Sequence, residues 1–183
     1  MVSNEQINVN KRNGRGLEAL NIDKIHSMVG FATEGITGVS ASHVEMNSGI
    51  QFFDKISTED IQQILIKSAN DLISLENPNY QYVAARLLLF SLRKKLFHRL
   101  WEHPKFLNHI KVCIEKGMYD EEILDNYTEA EIDRMGMWID HERDYNFTYA
   151  GLRQVMDKYL VQDRSNGEIF ETPQFMYMMI SAT

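Results

Sequence analysis

The stretch from Tyr80 to Leu100 constrains this chain more than any other. Asn77-Pro78-Asn79 breaks the chain just ahead of it, and Val83, Leu87, Leu88, Leu89, Phe90 and Leu92 then put apolar side chains on more than one side of a helix. Such a helix is stable only where other elements cover it from several directions. The pattern therefore predicts a helix over about 80–100 at the centre of a bundle. Upstream segments supply the cover. Ile22, Ile25, Val29, Ala32 and Ile36 step by three and four residues, one face of a helix. Asn21 is placed to cap it, and Asp23 falls in the first turn, where the helix dipole favours an anion. Ser42-x-x-Glu45 reads as a capping box opening a second helix. Ser57-x-x-Asp60 resembles the same device ahead of Ile61, Ile64, Leu65, Ser68 and Leu72.

Before the first helix the period is two. Ile7–Arg12 alternates apolar and polar residues, Asn13-Gly14 is a strong turn signal, and Leu17–Leu20 is long enough for a return strand. Residues 1–100 thus read as a β-hairpin lid over roughly four helices. Beyond Pro104 three further stripes follow: Phe106, Ile110, Cys113 and Ile114, ended near Gly117; Ile132, Met135 and Ile139 behind a Thr128-x-x-Glu131 cap; and Leu152, Val155, Met156 and Tyr159. Leu160–Gln162 and Glu168–Phe170 flank Ser165-Asn166-Gly167 as a second hairpin, and Thr172-Pro173 opens a last helix. Phe175–Ile180 is almost wholly apolar. Leaving it wet would cost several kcal/mol at about 25 cal/mol per Å² of apolar surface, comparable with a domain's net stability. The sequence reads as one that continues beyond Thr183. Tyr80-Gln81-Tyr82 and Trp138 read as packing residues, and His26, His98 and His141 as lone histidines without metal-ligand spacing.

Charge divides unevenly. The 183 residues carry a net −7, but residues 1–100 hold 11 Lys+Arg against 10 Asp+Glu, and residues 101–183 hold 8 against 16. An acidic second half argues against general nucleic-acid binding, which wants a basic surface, and the split suggests a boundary near Trp101–Pro104. No run approaches the ~20 apolar residues needed to cross a bilayer, and the N-terminus has no leader pattern. The single cysteine, Cys113, excludes an internal disulfide framework and a four-cysteine zinc ribbon. On its apolar stripe it reads as a buried structural residue. These readings give a cytoplasmic chain with neither a membrane nor a nucleic-acid partner.

Two segments about eighty residues apart carry the cations of interest: Lys11-Arg12 on the first strand and Arg93-Lys94-Lys95 near the end of the long helix. Converging cations make an anion site. Taken alone, Lys11-Arg12 also reads as a solvated strand end, and the later cluster is accounted for by the helix dipole. Val9, Ile25, Ile61 and Phe90 fall on stripes that any core would use.

The chain closely resembles the N-terminus of the large (α) subunit of class I ribonucleotide reductases, in their enterobacterial and T-even-type phage versions. The resemblance rests on Val9…Lys11-Arg12-x-Gly14, Ile22-Asp23-Lys24-Ile25, Thr58-x-Asp60-Ile61, Tyr80-Gln81-Tyr82-x-Ala84-Ala85-Arg86, His141-Glu142-Arg143-Asp144, Lys158-Tyr159-Leu160-Val161 and Thr172-Pro173-Gln174-Phe175, in that order. It implies that residues 1–96 form an ATP-cone, a regulatory domain taking ATP or dATP with Mg²⁺ accompanying the nucleotide. Residues 97–183 would be the helical segment leading to a catalytic α/β barrel that this chain lacks. No catalytic or metal-binding residue is expected within it. The isolated chain should not reduce ribonucleotides, since the cysteine pair, radical cysteine and tyrosines of that chemistry lie beyond position 183 in the family. The implied partners are the remaining part of the large subunit, as a separate chain if the gene is split, and the small subunit indirectly. In the split case the Phe175–Ile180 helix would be the docking surface. The alternatives are a stand-alone ATP-cone nucleotide sensor and a helical interaction module without ligand. The sensor reading lacks its zinc ribbon, and absence of nucleotide binding would favour the module.

By the same resemblance Lys11, Arg12 and Lys94 pair with phosphate oxygens, and Thr58 adds a hydroxyl or backbone N–H. Glu18 and Asn21 hydrogen-bond the adenine edge, and Lys24 reaches ribose or phosphate. Val9, Ile25, Ile61 and Phe90 wall the base. Two departures stand out. The Arg12–Glu18 hairpin is one residue longer than in a bacterial member, and Gln62 stands where bacterial members shut off by dATP carry a histidine. The expectation is that a complete reductase with this cone is inhibited little by dATP. Strong inhibition that does not depend on Gln62, in an activity assay, would refute it.

Overall fold

The computed structural model describes residues 7–11, 16–49 and 51–183. The chain divides into two compact units, Met1–Leu88 and Leu89–Thr183. In the first, β1 (Asn8–Asn10) lies between two partners. β2 (Leu17–Ala19) runs antiparallel to it with Val9 opposite Glu18. β3 (Ile56–Ser57) runs parallel with Val9 opposite Ile56. The hairpin is therefore two strands of a three-stranded sheet. β3 is too short to show a period of its own, so the sequence gives no sign of it. Its approach is fixed by a turn: Lys55, with φ of 65°, donates its N–H to the Asn8 carbonyl at 2.8 Å. Asp54 accepts from the Asn8 backbone N–H at 2.9 Å and side-chain amide at 3.1 Å. The hairpin tip, including Arg12 and the Asn13-Gly14 turn, lies outside the described residues.

The helices follow the stripes closely. α1 (Ile22–Thr33) is capped by Asn21, whose side chain accepts from Lys24 N–H at 3.0 Å. α2 (Ala41–Gly49) starts before Ser42, so Ser42 sits inside the helix and not at its cap. α3 (Thr58–Asp71) is capped by Ser57, whose hydroxyl accepts from the Asp60 N–H at 2.9 Å and donates to its carboxylate at 2.6 Å. α4 (Tyr80–Phe97) ends three residues earlier than the periodicity suggests, at His98 with φ of 57°. Its apolar residues from Val83 to Leu92 are buried, and its two halves belong to different units. The Tyr80…Arg86 block has a packing role within the first. Tyr80 hydroxyl accepts from the Ser40 N–H at 3.0 Å. Arg86 donates to the Glu34 carbonyl at 2.6 Å, satisfying a carbonyl at the end of α1.

The second unit is built on Phe106, Leu107, Ile110, Ile123, Ile132 and Phe175. These come from α5 (Phe106–Glu115), α6 (Glu122–Asn126), α7 (Glu129–Met137) and α9 (Pro173–Ala182), with α8 (Tyr149–Lys158) and the hairpin β4 (Gln162–Asp163) and β5 (Glu168–Ile169) completing it. Thr128 and Glu131 form the capping box expected of them. Two expectations need correction. Trp138 is 72% exposed and packs little, because it is the C-cap of α7, past the buried stripe. The His141 ring stacks on His103 at 3.7 Å and meets Phe175 edge-on at 4.9 Å. The helix at Phe175–Ile180 is not exposed as a whole, since Phe175 and Met176 are buried and only Tyr177 and Ile180 are open.

This unit holds buried polar groups that its acidic composition does not announce. Arg93, 2% exposed, donates to the His141 carbonyl at 2.6 Å and the Tyr145 hydroxyl at 3.0 Å, and lies 3.7 Å from Asp144. Burial pushes the Asp144 carboxyl up to about 6, against the opposing pull of Gln174 and Arg93. Burial pushes His103 and His109 down to about 4 and His141 to about 3. A histidine held low when folded contributes stability above its unfolded value, near 6.5, and that stability drains away as pH falls through the folded values. Asp144 acts in the opposite sense, favouring the fold below its unfolded value near 4 and losing this as pH rises through about 6. Burial raises the Glu171 carboxyl in the same sense as Asp144, and the three histidines outweigh the two carboxyls. The urea midpoint followed by tryptophan fluorescence (Trp101 and Trp138 both lie in this unit) is expected to fall as pH drops from 6.5 to 4. A flat or rising profile would show that the histidine cluster does not govern it.

Candidate functional site

Glu18 and Val9 form a cross-strand pair, so their side chains share one face of the sheet. Lys11 lies two residues from Val9 and shares that face. The geometry follows: the Lys11 ammonium pairs with one Glu18 carboxylate oxygen, and Lys24, from the first turn of α1, approaches the other at 3.5 Å. Lys11, with a smaller contribution from Lys24, holds the Glu18 carboxyl below its usual value. Three elements thus bring two cations onto one acid at the rim of the sheet. Beside them Val9, Ile56, Ile25 and Ile61 are buried, an apolar floor under a charged edge.

The strand directions give the site two ends. Because β3 is parallel to β1, Asn10 pairs with Ser57, so Thr58 and the first turn of α3 stand at the Lys11 end. Because β2 is antiparallel, Ala19 pairs with Asn8, so Asn21 and the start of α1 stand at the other. Three residues of strand span about 10 Å. Among the described residues, no three His, Cys, Asp or Glu side chains gather as a metal site would need.

Of the residues singled out from sequence, Val9, Lys11, Glu18, Asn21, Lys24, Ile25, Thr58 and Ile61 belong to this neighbourhood. Arg12 lies outside the described residues. Phe90 and Lys94 lie on the half of α4 that belongs to the second unit. There Phe90 meets Trp101 and Tyr145 edge-on at 5.4 and 6.2 Å. Arg93, one of the cations first grouped as an anion site, is buried and committed to protein partners. Gln62 turns away from the charged rim: buried in α3, its amide donates to the Leu87 carbonyl of α4 at 2.9 Å. Ile56 and the Asp54–Asn8 clamp escaped sequence reading, since a two-residue strand carries no pattern.

Residues 7–95 match the ATP cone domain family, and residues 145–183 match the all-alpha domain of ribonucleotide reductase. The chain is 48% identical over 179 residues to the ribonucleoside-diphosphate reductase 1 subunit alpha of Salmonella typhimurium, and 47% to that of Escherichia coli. It is 43% identical over 174 residues to the ribonucleoside-diphosphate reductase subunit alpha of Enterobacteria phage T4. The chain thus carries an ATP cone domain followed by a segment of the ribonucleotide reductase all-alpha domain. It matches over 95–98% of its own length but spans only 23% of each of these relatives. Within the ATP cone, the Lys11–Glu18–Lys24 cluster and its apolar floor lie inside the matched segment.

The role found for Gln62 in this cone is a tie between α3 and α4. Replacing it by Ala removes a buried donor and leaves a void. Gln62→Ala is expected to destabilise the protein by about 1–3 kcal/mol, read as a lowered urea midpoint. An unchanged midpoint would mean the tie carries no net stability.

Proposed function

We propose that residues 1–96 bind ATP or dATP, with Mg²⁺ accompanying the nucleotide, as an allosteric effector of ribonucleoside-diphosphate reduction. The reduction itself would be carried out by a barrel outside this chain. The observation that carries the reading is the convergence of Lys11 and Lys24 on one carboxylate above the Val9–Ile56 floor, inside a segment matched as an ATP cone. The triphosphate would lie toward Lys11, Arg12 and Thr58, where charge-assisted hydrogen bonds are among the stronger ones available. The adenine would lie toward Asn21 and Glu18, over Val9, Ile25 and Ile61. Phe90 and Lys94, carried over from the family resemblance, would contribute from the later half of α4. Residues 97–183 would form the helical segment that leads to the barrel. The remaining part of the large subunit is the expected partner and the small subunit an indirect one.

The chain's own chemistry supports a regulatory role. Cys113 is buried, with its thiol pushed up to about 11 mainly by burial, so it stays protonated and poorly nucleophilic. Among the described residues no helix is long and apolar enough to cross a membrane.

Calorimetric titration of the whole chain with ATP and dATP tests the reading. Binding is expected, weakened about tenfold or more in Lys11→Ala and also in Lys94→Ala. A folded chain that binds neither nucleotide would leave the helical interaction module as the better account.

A further inference from the structure

We propose that Glu18 is a built-in competitor for the phosphate-binding lysines, so that this site takes a ligand by exchanging one carboxylate for a polyphosphate. The inference rests on the nucleotide reading above and adds to it a rule for which ligands enter. Lys11 from β1 and Lys24 from α1 both close on Glu18 of β2. No approaching anion meets two open ammonium groups; it must displace a carboxylate already in place. The side chains are 38% and 69% exposed for the lysines and 40% for the acid, so the exchange takes place at a wet rim and needs no rearrangement of the sheet.

Exchange of this kind selects on charge. The carboxylate offers one negative charge to two cations, leaving the cluster net positive. A single phosphate group barely outbids it, whereas a chain of phosphates can satisfy both lysines at once. The site should therefore favour polyphosphates over monophosphates more than its lysines alone would. The exchange also has a second product. Once the lysines have moved to the ligand, both Glu18 oxygens are free acceptors beside Asn21, where an exocyclic amine of a base can donate to them. One residue would hold the site against small anions and then read the base of the ligand that displaces it.

Glu18→Gln separates the two roles, because it keeps a carbonyl acceptor of the same size and removes the charge. Inorganic tripolyphosphate, which has no base, reports on the charge alone. Calorimetry of the whole chain is expected to show tripolyphosphate binding about three- to tenfold tighter in Glu18→Gln than in wild type, and a smaller preference for ATP over AMP. Glu18→Ala should show the same gain for tripolyphosphate but lose discrimination between ATP and inorganic tripolyphosphate. Unchanged or weaker tripolyphosphate binding in both variants, with wild type binding ATP, would overturn the exchange and leave the nucleotide reading standing. Failure of wild type to bind ATP would sink both.

Discussion

The first unit depends on Val9. It is the middle residue of a three-residue strand, and one hydrogen-bonded neighbour lies on each side of it, Glu18 on β2 and Ile56 on β3. Neither flanking strand is long enough to stand by itself, and an isolated hairpin is marginal in water. Burial of Val9 with Ile56 joins a local hairpin to a segment some forty-five residues away, and so fixes where α3 begins relative to α1. The Asp54–Asn8 clamp and the Lys55 turn hold the same junction through hydrogen bonds. Lys11, Glu18 and Lys24 are all hung on this small sheet or on the helix that leaves it.

Electrostatics in the two units work by opposite means. In the first, Lys11, Glu18 and Lys24 meet at an exposed rim, where ion pairs contribute little to stability and can be traded for a ligand's charges. In the second, Arg93 and Asp144 are buried beside three histidines kept neutral by burial. Removing one partner there would strand the other in a low-dielectric interior. Exposed charge suits exchange, and buried charge suits the fixing of a single packed arrangement.

Much of this was legible because helices repeat locally. Ile25, Val29 and Ala32, or Phe106 and Ile110, announce a buried face by spacing alone, and Asn21, Ser57 and Thr128 mark starts by a bond three residues ahead. Ser42 failed as a cap because α2 had already begun, a one-residue shift that propensity cannot resolve. Of the site, the hairpin residues were readable as a cationic strand. Their meaning came from resemblance, since Lys11-Arg12 alone is as well explained by solvation.

The sequence by itself determined the helical class, the leading hairpin, the buried Cys113 and the segments from which cations could be drawn, because periodicity and capping are written within a few residues of one another. Only the tertiary structure decided that β3 joins β1, that Glu18 sits between two lysines, that Gln62 faces α4 and that Arg93 is enclosed. Each of these is a pairing between residues far apart in the chain. Such pairings are set by which surfaces meet when the helices pack, and no local pattern records them.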